Sequence, residues 1–311
     1  MTNQSFFEPL IKDLEVSGPQ PAPWDHMTAE WLIGEYPHLA EVAISDVAVV
    51  GPHGPVPARL YRSSSAQSGR ALVWVHGGGF IAGDLDMPEA NWVAMELAAR
   101  GIPVLSVDYT KALNGVRHPI PSDDVLAAWL LAASRSEELF GVPAGHLHIG
   151  GASAGANLSA GVTLRLRDGD GPSPASLMML YPLVHPELPE ASTATADAVA
   201  TLAPEQRLAP HDVAYVNLNY VGDDAGLSDP IAFPGLAELG GLSPVCIIVS
   251  ERDDLRPSGE LYAEQLAAAH VTVSLTVESN AAHGHLNEPG NPEALRSLDR
   301  MTTWVLGTPD S

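Results

Sequence analysis

Gly151-Ala152-Ser153-Ala154-Gly155 follows an apolar run of strand length, His146 to Gly150, and opens a small-residue helical run, Ala154 to Arg167. A serine on such a strand-to-helix turn is forced up into a cleft, where its hydroxyl can serve as a nucleophile. The turn is so tight that a side chain at either flanking glycine would collide with the neighbouring strand or helix, so the Gly-x-Ser-x-Gly spacing has a steric cause. Alone, the same five residues also read as an ordinary Gly/Ser turn, and other residues must join them to decide the matter.

Working outward, His76-Gly77-Gly78-Gly79-Phe80 follows a second apolar run, Ala71 to Val75. Successive glycines leave backbone N–H groups able to point at a developing negative charge. A phosphate cradle would need a Gly-Lys-Ser/Thr ending or the longer dinucleotide spacing, and neither is present. Downstream, Val245 to Ser250 reads as a buried strand and leads into Glu251-Arg252-Asp253-Asp254-Leu255-Arg256. A further strand, Val271 to Val277, leads to a loop carrying His283-Gly284-His285. The chain order is therefore serine, acid, histidine, the order of this triad on an α/β-hydrolase sheet.

From about Ala71 to about Trp304 the chain resembles the hormone-sensitive-lipase-like branch of the α/β-hydrolases. The resemblance rests on the His-Gly-Gly-Gly-Phe run, Val107-Asp108-Tyr109, Gly-x-Ser-Ala-Gly followed by Ala156-Asn157-Leu158, Tyr181-Pro182, Asp253-x-Leu255-Arg256 and His283-Gly284. It implies Ser153 as nucleophile, Asp253 as acid and His283 as base, with N–H groups of Gly78, Gly79 and Ala154 as the oxyanion hole. It also implies a serine carboxylesterase that needs no cofactor and takes a small-molecule ester. Deacetylation of acetylated saccharides, lactone or amide hydrolysis and acyl transfer use the same machinery. A non-catalytic ligand receptor on this fold would typically have lost the base, which is present here.

Three departures stand out. Position 152 is alanine where the family usually has Asp or Thr, so a polar anchor of the nucleophile turn is missing. Asp108-Tyr109 is followed by Thr110-Lys111-Ala112-Leu113-Asn114-Gly115 in place of the family's Arg-Leu-Ala-Pro-Glu, a loop that supports the floor of the site. His285 stands where an aromatic residue usually follows His-Gly. It reads as a structural or solvent-facing histidine, a contact to a polar group of the substrate, or a metal ligand with His283; no cluster of further ligands is legible for the last. Between neighbouring acids, Asp253 fits the family position, while Asp254 and Glu251 read as solvated or bonded to local backbone.

Composition bounds the rest. The 311 residues, 45% hydrophobic, suit one large α/β domain with a lid. A net charge of -23 disfavours nucleic acid and anionic membrane as partners, because the phosphate interaction would be repulsive. The single cysteine, Cys246, lies in an apolar strand and reads as a small buried hydrophobe. Met1 to Val16 carries Glu8, Asp13 and Glu15 in place of a basic start and apolar signal core, and no apolar stretch is long enough to span a bilayer. These features point to a cytoplasmic protein; assembly as a homodimer stays open.

Strand-like runs at Ile44–Val50, Val56–Arg62, Leu72–His76, Val104–Val107, His146–Gly150, Leu177–Tyr181, Val245–Val249 and Val271–Val277 alternate in their later part with helical patterns at Asn91–Arg100, Ser122–Ser134, Ala154–Arg167 and Pro257–Ala269. This alternation specifies an α/β-hydrolase fold with an eight-stranded, mostly parallel sheet, helices on both faces and ligands at the strands' carboxyl ends. Two segments break the pattern. Residues 1–43 and 185–229, the latter with a helical stretch from Gln206 to Tyr220, are expected to fold as a helical cap over the core segments 44–184 and 230–311. Under that cap Trp24, Trp31, Tyr215, Tyr220 and His285 are candidate substrate contacts.

Overall fold

The computed structural model describes residues 5–18, 22–64 and 68–307. Residues 1–4 and 19–21 of the expected cap segment lie outside the described residues. The strands are β1 (Val42–Gly51), β2 (Gly54–Ser63), β3 (Ala71–Val75), β4 (Val104–Val107), β5 (Leu147–Ala152), β6 (Leu177–Leu180), β7 (Val245–Arg252) and β8 (Val273–Ala282). The helices are α1 (Phe7–Ser17), α2 (Ala29–Glu35), α3 (Asn91–Ala99), α4 (Ile120–Ser134), α5 (Ser136–Phe140), α6 (Ala154–Arg165), α7 (Thr193–Val199), α8 (Pro210–Val221), α9 (Arg256–Ala268) and α10 (Pro292–Gly307).

All eight strands join one sheet in the order β1-β2-β4-β3-β5-β6-β7-β8. β1 and β2 pair antiparallel, as do β2 and β4, and every other pairing is parallel. The central strands read as continuous apolar runs because both of their faces are covered. In β3, Ala71, Val73 and Val75 point into the core shared with α4, α6 and α9, while Leu72 and Trp74 point into the core shared with α3 and α10.

The order of the strands places the site. From β3 the chain crosses to β4 on one side and then returns to β5 on the other, so the strand order reverses between β3 and β5. The crevice outside their carboxyl ends is where an open α/β sheet binds its ligand. β3 ends at Val75, just before His76, and β5 at Ala152, just before Ser153, so both glycine-rich turns open onto that crevice.

The two helices of the N-terminal segment expected in the cap pack against different partners. α1 lies on α8, where Asp212 Oδ1 accepts from the Ser5 hydroxyl at 2.8 Å and from the Phe6 N–H at 2.7 Å. α2 instead packs with Leu32 into the core beside α3. The expected helix from Gln206 to Tyr220 is two elements: a 3-10 turn at Pro204–Gln206, then α8 from Pro210. Proline has no N–H and clashes with the preceding turn, so Pro210 begins a helix and cannot sit within one.

Candidate active site

Ser153 holds φ 51° and ψ -118°, a backbone region that a residue with a side chain enters at a cost of about 1–3 kcal/mol. The surroundings enforce it. A Cβ at Gly151 would lie 2.5 Å from the Gly155 carbonyl and 2.6 Å from the Val75 oxygen, and one at Gly155 would overlap the Val75 and His76 oxygens. The Ser153 N–H donates to Leu180 O at 2.9 Å, so β6 holds the turn from the other side. Ala154 begins α6, where a backbone N–H has no acceptor within the helix. Ala152, the first departure from the family pattern, is fully buried in the core against α3 and α10.

The three sequence-predicted polar groups converge. His283 Nε2 lies 3.1 Å from Ser153 Oγ, and its Nδ1 lies 2.8 Å from Asp253 Oδ2. Asp253 is 1% exposed and its other oxygen accepts the Leu255 N–H at 2.9 Å. A carboxylate only accepts, so the proton sits on Nδ1, and Nε2 is left free to accept from the serine hydroxyl. Burial pushes the imidazole's pKa down, but Asp253, with smaller contributions from Glu89 and Asp254, overcomes this and raises it above the ordinary histidine value.

The glycine turn after β3 lines the same cavity. Gly78 and Gly79 have φ of 103° and 60°, and a Cβ at Gly78 would overlap the Ala82 carbonyl. The turn is fixed through Gly77, whose N–H donates to Glu89 Oε1 at 2.5 Å and whose carbonyl accepts the Tyr109 hydroxyl at 2.8 Å. The second departure supports it from below: Lys111 Nζ bonds Asp108 at 2.5 Å and the Tyr109 carbonyl at 2.6 Å. Ala112 N–H donates to Phe80 O at 2.8 Å. A lysine therefore holds this floor where the family pattern has an arginine-led loop.

Ser153 and His283 open onto a cavity of about 270 Å³. Its wall is apolar: Phe7 and Leu10 of α1, with Trp24, on one side, and Leu208, Val213 and Val216 on the other. Of the aromatic candidates only Trp24 reaches it. Trp31 packs at the edge of the core against its neighbour His26, with ring centroids 5.5 Å apart. Tyr215 packs against the cluster of Ile11, Ile81 and Val216. Tyr220 is fully buried, stacked 3.9 Å from Phe80 and bonded to His118 at 3.1 Å. Tyr215 and Tyr220 sit on α8, which borders the cavity but turns them away from it, whereas Trp31 sits on α2, which packs beside α3 and does not reach the cavity. The aliphatic residues that do line it carried no signal that separates them from ordinary core.

His285 is also a core residue. It is 3% exposed, and its ring nitrogens bond the Ser250 and Ser297 hydroxyls at 3.1 and 2.8 Å. It does not face the cavity, and the reading as a substrate contact is corrected. Burial pushes its pKa down to about 4, and His148, buried in β5, is likewise held at about 4. The unfolded chain takes up these protons near pH 6.5 and the folded one only near 4, so stability falls as pH drops through that window. Each histidine contributes on the order of 3 kcal/mol across it. His285→Gln is expected to flatten the fall in melting temperature between pH 7 and pH 5; an unchanged slope would show that His285 titrates normally.

Asp254 differs from its expected role as well. Arg207, just before α8, grips it with two bonds of 2.9 Å, and Leu208 N–H donates to it at 2.9 Å. Its carboxylate thus tethers cavity-lining Leu208 to the loop that carries Asp253. Glu251 accepts the Asn280 N–H at 2.7 Å. Among the described residues no group of three or more His, Cys, Asp or Glu side chains converges as a metal site, and no helix is long and apolar enough to cross a membrane.

A strand-to-helix turn carrying Ser153, a glycine turn beside it and the hydrogen bonds linking Ser153, His283 and Asp253 make up the site. The chain belongs to the alpha/beta hydrolase fold family, whose sequence pattern matches residues 72–287. It is 37% identical over 256 residues to the carboxylic ester hydrolase LipN of Mycobacterium tuberculosis, covering 79% of this chain and 65% of that one. It is 34% identical to the carboxylesterase NlhH of the same organism, over 75% of this chain and 72% of that one. The ethyl acetate hydrolase of Pseudomonas putida is 30% identical over 77% of this chain and 74% of its own. Among solved structures, the Pyrobaculum calidifontis esterase superposes with a TM-score of 0.78 at 24% identity, covering 97% of this chain and 94% of that one, which shows the shared fold.

Proposed function

We propose that this protein is a serine carboxylesterase that hydrolyses short-chain acyl esters through an acyl-enzyme intermediate. The observation that carries the reading is the relay from Ser153 Oγ through His283 to buried Asp253, opening onto an apolar cavity. The relatives' names, all ester hydrolases, support it.

In the first half-reaction His283 Nε2 takes the Ser153 proton as Oγ attacks the ester carbonyl, while Asp253 keeps the imidazole in its productive tautomer and stabilises its charge. The oxyanion is met by the N–H groups of Gly78, Gly79 and Ala154, donors each typically worth about 3–4 kcal/mol in the transition state. His283 then gives its proton to the leaving alcohol. In the second half-reaction it takes a proton from water as the water attacks the acyl-serine, then returns that proton to Ser153 Oγ as the acyl–oxygen bond breaks and the acid leaves.

A cavity of about 270 Å³ is just below the roughly 300–1,000 Å³ usual for drug-sized ligands, so it admits a short acyl or alkyl chain and no more. Each methylene gains about 0.8 kcal/mol only while there is room to bury it, so kcat/KM is expected to peak between about two and six acyl carbons. A panel of esters graded from acetate to palmitate tests this. A maximum at long acyl chains, or activation at a lipid-water interface, would contradict the short-chain reading.

The paired acids give a second test. Asp253→Asn is expected to lower kcat about 10,000-fold, as in the serine-protease triad, because the amide favours the wrong tautomer. Asp254→Asn loosens Leu208 and is expected to raise KM while kcat stays within about tenfold of the parent. Equal losses of kcat in steady-state assays of the two variants would remove Asp253 from the relay.

A further inference from the structure

Glu89, between β3 and α3, is 1% exposed, and among the described residues no lysine or arginine is one of its bonding partners. Burying a carboxylate this way is costly, and three neutral donors share the charge. Oε1 accepts the Gly77 N–H at 2.5 Å, while Oε2 accepts the Tyr181 hydroxyl at 2.5 Å and Asn287 Nδ2 at 3.4 Å. The Glu89 N–H in turn donates to Asn287 Oδ1 at 3.1 Å. Gly77 precedes the two glycines of the oxyanion turn, and Asn287 lies in the turn that follows His283. Tyr181 sets the edge of its ring against His283, with centroids 5.0 Å apart and planes at 66°.

We propose that Glu89 is a positioning residue: it ties the oxyanion turn at Gly77 to the histidine turn at Asn287 and to the ring of Tyr181, so that oxyanion donors and base keep a fixed spacing. This rests on the esterase reading of the same site. A negative charge beneath an oxyanion opposes catalysis, so its retention requires a compensating gain. His283 becomes cationic in the same transition state, and Glu89 joins Asp253 and Asp254 in favouring that cation, against burial. Asp253 bonds the imidazole directly, Tyr181 packs on it as a neutral phenol, and neighbouring His285 stays uncharged in its core site.

Three variants separate the clamp from the charge. Glu89→Ala removes both and is expected to lower kcat about 100-fold, with KM within about threefold of the parent. Glu89→Gln keeps an acceptor for Gly77 and a polar partner for Tyr181, so it should restore most of that kcat while moving the acid limb of kcat/KM to lower pH by about half a unit or more. The His283 imidazole, titrated by NMR, should move in the same direction. Tyr181→Phe, which spares the Gly77 bond, should leave Glu89 in place and cost less than Glu89→Ala. Turnover of Glu89→Ala within threefold of the parent, or a Glu89→Gln limb and His283 titration that do not move, would overturn the proposal. If Glu89→Ala does not fold, Glu89→Gln decides by the same two readouts. A parent that hydrolyses no ester would instead sink the esterase reading, and the His283 titration would still report whether Glu89 acts on it.

Discussion

Ser153→Ala is expected to lower kcat for a short-chain ester by about 10,000- to 1,000,000-fold while the melting temperature holds or rises. The substitution deletes a single oxygen whose one side-chain partner is His283 Nε2, so no core contact is lost. What remains is the background rate supplied by binding and the oxyanion donors. Serine at this position pays for a strained backbone with φ of 51°, and alanine inherits the same strain, so the fold has no reason to change. A variant keeping a tenth of parental turnover would remove Ser153 from the chemistry. An organophosphate should label Ser153 in the parent and nothing in the variant.

The second large effect separates two histidines only two residues apart. His283→Ala removes the base and should lower kcat by about as much as Ser153→Ala, because members of such a relay act as a unit. His285→Ala should lower stability and leave kcat nearly unchanged, since its partners are Ser250 and Ser297 and not the cavity. The pH dependence follows from the same geometry. Only neutral His283 can accept the serine proton, so kcat/KM rises with pH as the imidazole loses its own. Because Asp253, Glu89 and Asp254 raise its pKa against burial, the midpoint of that limb should lie above the ordinary value of about 6.5. A midpoint well below 6.5, or equal losses in the two variants, would contradict this assignment of the base.

The sheet was legible from the chain because buried parallel strands are short apolar runs. All eight expected runs overlap observed strands, with ends displaced by a few residues; β8, for instance, extends to Ala282, past the expected end at Val277. Ser153, Asp253 and His283 were singled out by motifs that resemble the family's, and the structure sets them after β5, β7 and β8 within hydrogen-bonding reach of one another. α1, α2 and α10 were not assigned as helices. Each has a polar face and an apolar one, and what each packs against is set by tertiary contacts. The side-chain roles resisted sequence reading for the same reason. Asp254 meets Arg207, 47 residues earlier in the chain, and Glu89 meets Asn287, 198 residues later, so no local pattern announces either. Tyr215 and Tyr220 sit on α8, which does border the cavity, but its phase presents Val213 and Val216 instead.

The account turns on whether Ser153 becomes acylated. Mixing the protein with a nitrophenyl acetate should release a rapid burst of nitrophenol, and quenching within the burst should trap an ester on the protein. Peptide mapping by mass spectrometry is expected to find one acetyl group, on Ser153, and none after Ser153→Ala. Acetyl groups on another residue, or turnover by the parent with no acyl-protein under conditions that trap one in a known serine esterase, would contradict the account.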